Sequence, residues 1–581
     1  MTKNSVIDVW APRPQLVELV TEDSQGERHI HPMHKSGQWW SSTVPATPGL
    51  RYGFRIDGEV VAPDPRATSL PDGPHGLGEI IDPDFSWQDH DWHGRQLPGS
   101  VIYELHVGTF SNQGTFDGVI NHLDYLVDLG VTTIELMPVQ PFGGNRNWGY
   151  DGVSWHAVHD GYGGPDGLRR LVNAAHLKGL AVYLDVVYNH FGPDGNYTGL
   201  FGPYALPGSM TGWGEVVNIS GPDSDEVRRY ILDAVKLWFE VYHIDGLRLD
   251  AVHAYDDTGA YSIMENIQNV ADEVSEKSGI PRQVVAESDL NDPRLINKVE
   301  AGGYGLAAQW ADDIHHALHT LVSGELHAYY ADFGSPSDLK KTLLGAYKFA
   351  GDYSSFRGRT HGRPVDTSAV PPWKFITYTT THDQTGNRAR GDRPSMNLIP
   401  TQQVLKAAII YCSPFTPMLF MGEEFGAQTP FPFFCSHTDP ELNRLTKEGR
   451  YHEFARSGWD ESEVPDPADP ETFHSAVLDW NFTTTEQEIF NAYRQLLQLR
   501  KEYHLDRDTW RSLNVEIGDE DTPWIAFGYS DVALIANLST QPLTVPVGGN
   551  LRYSFSEPTV SSHSTDLGPW EFALVTEPSW G

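Results

Sequence analysis

The stretch GLRLDAVH, residues 246–253, is a short apolar strand that ends in charge and imidazole. Period-two geometry sends Arg248 and Asp250 out of one face, so a guanidinium and a carboxylate share the same side of that strand end. Reading outward, the same grammar repeats. Eight short apolar runs read as strands, at residues 101–107, 132–139, 181–187, 246–252, 283–288, 306–312, 375–381 and 417–422. Amphipathic helical patterns lie between several of them, at 166–178 and 225–242 for example, and this alternation is the mark of βα units around a parallel sheet. An open doubly wound sheet alternates in the same way. The polar residues favour closure: Asp185 with His190, Asp250 with His253, Glu287, and His382 with Asp383 fall at or after the ends of four different runs. A (β/α)8 barrel keeps its working side chains at those ends.

The flanks have another rhythm. Runs 6–10, 16–21, 39–44 and 52–56 alternate and are punctuated by Pro and Gly, the pattern of a small β-sandwich. After a last helical pattern from 490 through 501, residues 510–581 return to alternating strands. The expected architecture is an α/β chain with an N-terminal β-sandwich (1–95), a (β/α)8 TIM barrel with loop insertions (96–500) and a C-terminal β domain (501–581). A chain of 581 residues accommodates these three units.

Composition narrows the partners. The formal charge is -37, from 41 Lys plus Arg against 78 Asp plus Glu. Such a field repels nucleic acid and anionic lipid, so neither is expected as a partner. A neutral small-molecule ligand feels no such repulsion, and 17 Trp, 25 Tyr and 25 Phe offer flat faces for sugar rings, although most must be core. The N-terminal residues hold no apolar run of signal length, and no stretch approaches a membrane span. Cys412 and Cys435 are the two cysteines, too few for a disulfide framework or a C-x-x-C site. A reduced, cytoplasmic protein is the expectation.

No cofactor is expected. The closely spaced donors Asp185, Asn189 and His190 leave room for a structural calcium, but no HExxH helix, EF-hand loop or phosphate-cradling Gly-rich loop is present. A G-x-S-x-G elbow is also missing. Carboxylates remain. Glycoside hydrolysis needs two, one to protonate the leaving oxygen and one to meet the oxocarbenium-like centre. Arg248 beside Asp250 favours the charged form that a nucleophile requires. Glu287 follows Val284, Val285 and Ala286 with no cation adjacent in sequence, a setting that favours a protonated acid. Asp383 supplies a third acidic group to hold ring hydroxyls.

At DVVYNH (185–190), GLRLDAVH (246–253), VVAES (284–288) and TTTHDQ (379–384) the chain resembles the α-amylase family of glycoside hydrolases, matching its four short regions in order. The resemblance implies Asp250 as nucleophile, Glu287 as acid/base and Asp383 as stabiliser, with Arg248, His190 and His382 around the sugar in the cleaved subsite. Tyr150, Asp151, Trp213 and His253 match further glucose-holding positions, and Phe356 with Arg357 are expected to touch the leaving-group end. Within that family the chain is similar to the branch that cuts the α-1,4 bond joining a maltooligosaccharide to a terminal trehalose. The features are NWGYDGVSWHAVHDGYGGPDGLRRLV (147–172), AESDLNDPR (286–294), RGRTHGRP (357–364), HDQTGNRARGDR (382–393) and MGEEFGAQTPFPFF (421–434). Branching transglycosylases, the alternative, tend to carry Glu after the third carboxylate and an acidic residue after the acid/base. Gln384, itself a candidate substrate ligand, and Ser288 stand there instead. An inactive glucan-binding scaffold is the third reading, and the complete carboxylate set argues against it.

Overall fold

A computed structural model describes residues 6–455 and 460–580. All eight anticipated barrel strands form, and they close in sequence order through parallel ladders. They are Ile102–Leu105, Thr133–Leu136, Ala181–Val186, Gly246–Leu249, Gln283–Ala286, Ala308–Trp310, Phe375–Tyr378 and Thr416–Phe420. The ladder between the last strand and the first seals the cylinder. Every residue of these strands is buried, as a cylinder covered by helices requires. Alternate side chains fill the interior, where Ile102, Tyr183, Val285, Trp310, Tyr378 and Met418 form one cluster.

All eight strands end earlier than their apolar runs, and that difference is informative. Asp250 follows the fourth ladder by one residue, Glu287 the fifth by one, and Asp383 the seventh by five. Hydrophobicity continues past the last inter-strand hydrogen bond because the loop bases are themselves buried. The polar groups begin where the ladder stops.

The helices follow from their patterns. Ser224–Glu240 buries Val227, Tyr230, Ile231, Ala234, Val235 and Trp238 along one stripe and opens with Asp225 and Glu226. Thr484–Glu502 starts with a Thr483/Glu486 capping box and ends with Arg500 and Lys501.

At the N-terminus two antiparallel sheets of three and five strands form, and two more of five and three close the C-terminal region. The N-terminal sheets touch the barrel through aromatic edges: Trp10 meets Tyr204 and Phe54 meets Phe201. Two hairpins in the barrel loops were not anticipated, Ala205–Met210 with Glu215–Val217 and Asp352–Ser354 with Arg359–His361. Among the described residues no helix is long and apolar enough to cross a membrane.

Candidate active site

Arg248 is the hub. Its side chain is buried in the barrel mouth, with the guanidinium 4.3 Å from the Trp310 ring centroid. Nη1 donates to Asp185 Oδ2 and to Asp250 Oδ1, each at 2.8 Å, and Nη2 stands 3.6 Å from Glu287 Oε2. One cation therefore faces three carboxylates on neighbouring strand ends. Asn189 completes the cradle of Asp250, donating from Nδ2 to Oδ2 at 2.8 Å and to the backbone carbonyl at 3.1 Å. Such fixed donors orient the carboxylate while leaving its side chain 15% exposed to the cleft.

Ala251 follows at φ 41°, left-handed for a residue with a Cβ. That conformation costs about 1–2 kcal/mol. It turns the Ala251 N–H onto Glu287 Oε2 at 2.6 Å, so the strain at one strand end fixes the carboxyl of the next. Burial is the largest influence on Glu287. Asp250 and Asp383 push in the same direction against Arg248, and together they raise its pKa to about 8. The sequence expectation of a desolvated Glu287 agrees with this in direction, although Arg248 is nearer than the sequence suggested.

On the opposite side His382 Nδ1 meets buried Glu104 Oε1 at 2.5 Å, and Nε2 meets the Tyr150 hydroxyl at 2.9 Å. Burial opposes a charged imidazole, yet Asp383 and Glu104 outweigh it and lift His382 to about 9. As an imidazolium it donates from both nitrogens, so Tyr150 Oη accepts and passes its own proton towards Asp185 Oδ2 at 2.6 Å. The chain Glu104, His382, Tyr150, Asp185, Arg248, Asp250 is thus one continuous hydrogen-bonded arc across the barrel mouth. Asp185 itself is pushed up to about 6, by burial first and in opposition to Arg248.

Asp383 lies in a one-turn helix, His382–Gly386, rather than on a strand. Thr381 is its N-cap, accepting from the Asp383 N–H at 3.2 Å. This accounts for a threonine before His382. Gly386 is needed because a Cβ there would come within 2.0 Å of the Trp148 indole, on which the helix rests.

The remaining sequence candidates divide. His190 bonds Asn189 Oδ1 at 2.5 Å and the Tyr150 carbonyl at 3.0 Å, which ties it into the mouth. Trp213, at the tip of the first unanticipated hairpin, is 56% exposed and runs roughly parallel to His190, with centroids 6.3 Å apart. His253 is exposed and meets the Trp213 edge. Asp151 accepts from Asn147 Nδ2 at 2.6 Å within its own loop. Phe356 is exposed, and Arg357 pairs with Asp289 at 3.2 Å. Gln384 is turned into the protein: Oε1 accepts from Thr381 N and Oγ1, and Nε2 donates to Asp312 Oδ1 at 3.3 Å.

Sequence reading missed Glu104 and Asp312. Both had a signal. Glu104 is a lone acid in the middle of a fully buried strand, and Asp312 lies two residues past the sixth strand, near the position that Asp250 takes one residue past the fourth, with its pKa raised by burial to about 6. As for cations, Asp185 Oδ2 and both polar atoms of Asn189 have protein partners, whereas Asp185 Oδ1 is buried without one. Among the described residues, Asp23, Glu27 and His29 could share an ion, exposed on an N-terminal hairpin far in sequence from this mouth.

Comparison with known proteins agrees with this geometry. Residues 86–199 match the alpha amylase catalytic domain, 2–69 match carbohydrate-binding module 48 (isoamylase N-terminal domain), and 510–574 match a domain of unknown function, DUF3459. A malto-oligosyltrehalose trehalohydrolase from Mycobacterium tuberculosis is 48% identical over 98% of both chains. One from Saccharolobus solfataricus is 42% identical over 98% of this chain and 97% of its own. The crystal structure of a protein described as an alpha amylase from Salmonella typhimurium superposes with a TM-score of 0.88 at 33% identity, covering 98% of this chain and 97% of its own.

Proposed function

The chain belongs to the malto-oligosyltrehalose trehalohydrolase family, and from that premise we propose how its residues carry out the reaction. It is a glycoside hydrolase that cleaves the α-1,4 bond next to the terminal trehalose of maltooligosyltrehalose and releases trehalose. Asp250 is the nucleophile, Glu287 the general acid and then base, and Asp383 the third carboxylate, binding ring hydroxyls of the distorted sugar. The observation that carries this reading is the contrast at Arg248: Asp250 receives its direct hydrogen bond, whereas Glu287 stands farther off and is held protonated by burial.

Glu287 gives its proton to the glycosidic oxygen as trehalose leaves, while the Asp250 carboxylate bonds to the anomeric carbon. Forming that ester removes the negative charge of Asp250, one of the influences that raises Glu287. The carboxylate left on Glu287 is then the weaker-held base that takes a proton from water, and water opens the ester with net retention. Asp250 and Glu287 follow register partners Leu249 and Ala286 on adjacent strands. Adjacent strands lie about 4.8 Å apart, close to the roughly 5–5.5 Å carboxyl spacing of retaining enzymes.

Around this centre, Arg248, His190, His382 and Tyr150 hold the reacting glucose, with Asp151, Trp213 and His253 on the maltooligosaccharide side and Phe356 and Arg357 on the trehalose side. Gln384 serves by capping the Asp383 helix. Residues 1–95, 96–500 and 501–581 are the three domains, and the free, buried thiols of Cys412 and Cys435 support a reducing, cytoplasmic setting. The test is to incubate the protein with maltooligosyltrehalose and with a plain maltooligosaccharide of equal length. Free trehalose from the first, formed much faster than any cleavage of the second, is expected. Branched product or equal cleavage of both overturns the reading.

A further inference from the structure

Arg388 lies five residues beyond Asp383 and its long side chain ties this loop to the segment after helix Asp312–Ser323. Its Nη1 and Nη2 donate to Glu325 Oε2 and Oε1, both at 2.8 Å, a two-pronged pair. Its Nε donates to Asp392 at 2.9 Å, so all three guanidinium nitrogens are committed.

Glu325 is held from its other side. Lys406 Nζ donates to His319 Nδ1 at 3.2 Å, which makes that nitrogen an acceptor and leaves the proton on Nε2. His319 Nε2 therefore donates to Glu325 Oε2, at 2.9 Å. Burial disfavours the Glu325 charge, but these hydrogen bonds outweigh it and hold its pKa well below the usual range. The pair and Gln384 together line a cavity of about 20 Å³, room for little more than a water molecule.

Four residues on from Glu325 is Tyr329, whose ring meets the exposed Phe356 edge to face at 6.3 Å. Arg357 next to Phe356 pairs with Asp289, two residues after Glu287. Contacts thus run from Arg388 through Glu325, His319, Tyr330 and Tyr329 to Phe356, Arg357 and Asp289, with Asp383 five residues before one end and Glu287 two before the other. We propose that Glu325 and Arg388 form a positioning clamp that fixes the Tyr329–Phe356 wall relative to Asp383, and so sets affinity for the trehalose end of the substrate. This rests on the functional reading above.

The experiment compares wild type with Glu325→Gln and Arg388→Lys, each of which keeps side-chain size but breaks the two-pronged pair. KM and kcat are measured on maltotriosyltrehalose, together with the inhibition constant of free trehalose. KM and the trehalose constant should rise together by about 10- to 100-fold, as expected when a binding wall shifts by about 1 Å, while kcat stays within about twofold. A fall in kcat with an unchanged trehalose constant overturns the clamp and leaves a purely structural pair, as does no change at all. If one variant fails to fold, the other decides. Wild-type product analysis separates the two claims: no trehalose from wild type sinks the functional reading, whereas trehalose release with an unmoved inhibition constant sinks the clamp alone.

Discussion

The fourth barrel strand carries an aspartate at each end, and the two are buried in opposite ways. Asp245, just before the strand, is closed off completely. Trp92 Nε1 donates to Oδ1 at 2.8 Å, the Val182 N–H and His176 Nε2 reach Oδ2 at 2.9 and 2.8 Å, and Arg282 approaches at 3.5 Å. His176 also meets Asp89 at 2.8 Å while stacking on Trp92, so the segment that enters the barrel is stapled across its floor. Asp250, just after the strand, has equally strong partners on one side but faces the cleft on the other. A fully matched carboxylate contributes to stability, whereas a partly matched one is poised for a substrate atom to complete its set.

The comparison breaks most visibly at Asp250. Asp250→Asn should unfold at the wild-type temperature yet lose about 10⁴-fold or more in kcat. Residual turnover above a few per cent would remove it from the nucleophile role. The mirror-image result is expected on the floor: Asp245→Asn leaves buried Arg282 without its carboxylate and His176 with Asp89 alone, and should cost about 3–5 kcal/mol in urea unfolding while kcat of the folded fraction holds. A selective loss of kcat would show that the two ends are not separable.

Titration sharpens the same contrast. With Glu287 as the proposed acid, kcat/KM should be level below its pKa of about 8 and fall about tenfold per pH unit above it. A flat profile to pH 9.5 would contradict that assignment. On the floor, Asp245 and Asp89 raise the pKa of His176 against the effect of burial. The stability contributed by its imidazolium is complete below the ordinary histidine value and is lost as pH rises through the raised one. The smallest effect is expected at Ala251: Ala251→Gly relieves the positive φ for a net gain of about 0.5 kcal/mol after glycine's entropy cost. Thermal melting should detect it, together with a few-fold loss of kcat from a looser N–H on Glu287. A variant less stable than wild type would contradict the strain argument.

Much of this was legible in the sequence because it is written in local periodicity. Arg248 and Asp250 were read as sharing one face from a spacing of two, and the structure joins them at 2.8 Å. The eight strands were legible for the same reason. What escaped depends on distant partners. Glu104 looks like an oddity in an apolar strand until His382 is seen against it, and nothing near Gln384 in sequence shows that its amide is taken by Thr381 and Asp312. The two loop hairpins were missed because short, exposed or irregular strands such as Ala205–Met210, with burial from half-buried to exposed, carry no hydrophobic alternation.

The bond between Glu104 and His382 joins positions 278 residues apart, on either side of the seam where the last strand meets the first. A ribosome-bound chain that has emerged only through Glu287 already owns Asp250, Arg248 and Glu287, but it lacks His382, Asp383 and the strands that complete the wall. On the proposed roles, catalytic competence is withheld until synthesis of the barrel is finished. Recovery of turnover during refolding should trail recovery of helix and sheet for the same reason, which makes enzymatic activity a reporter of barrel closure.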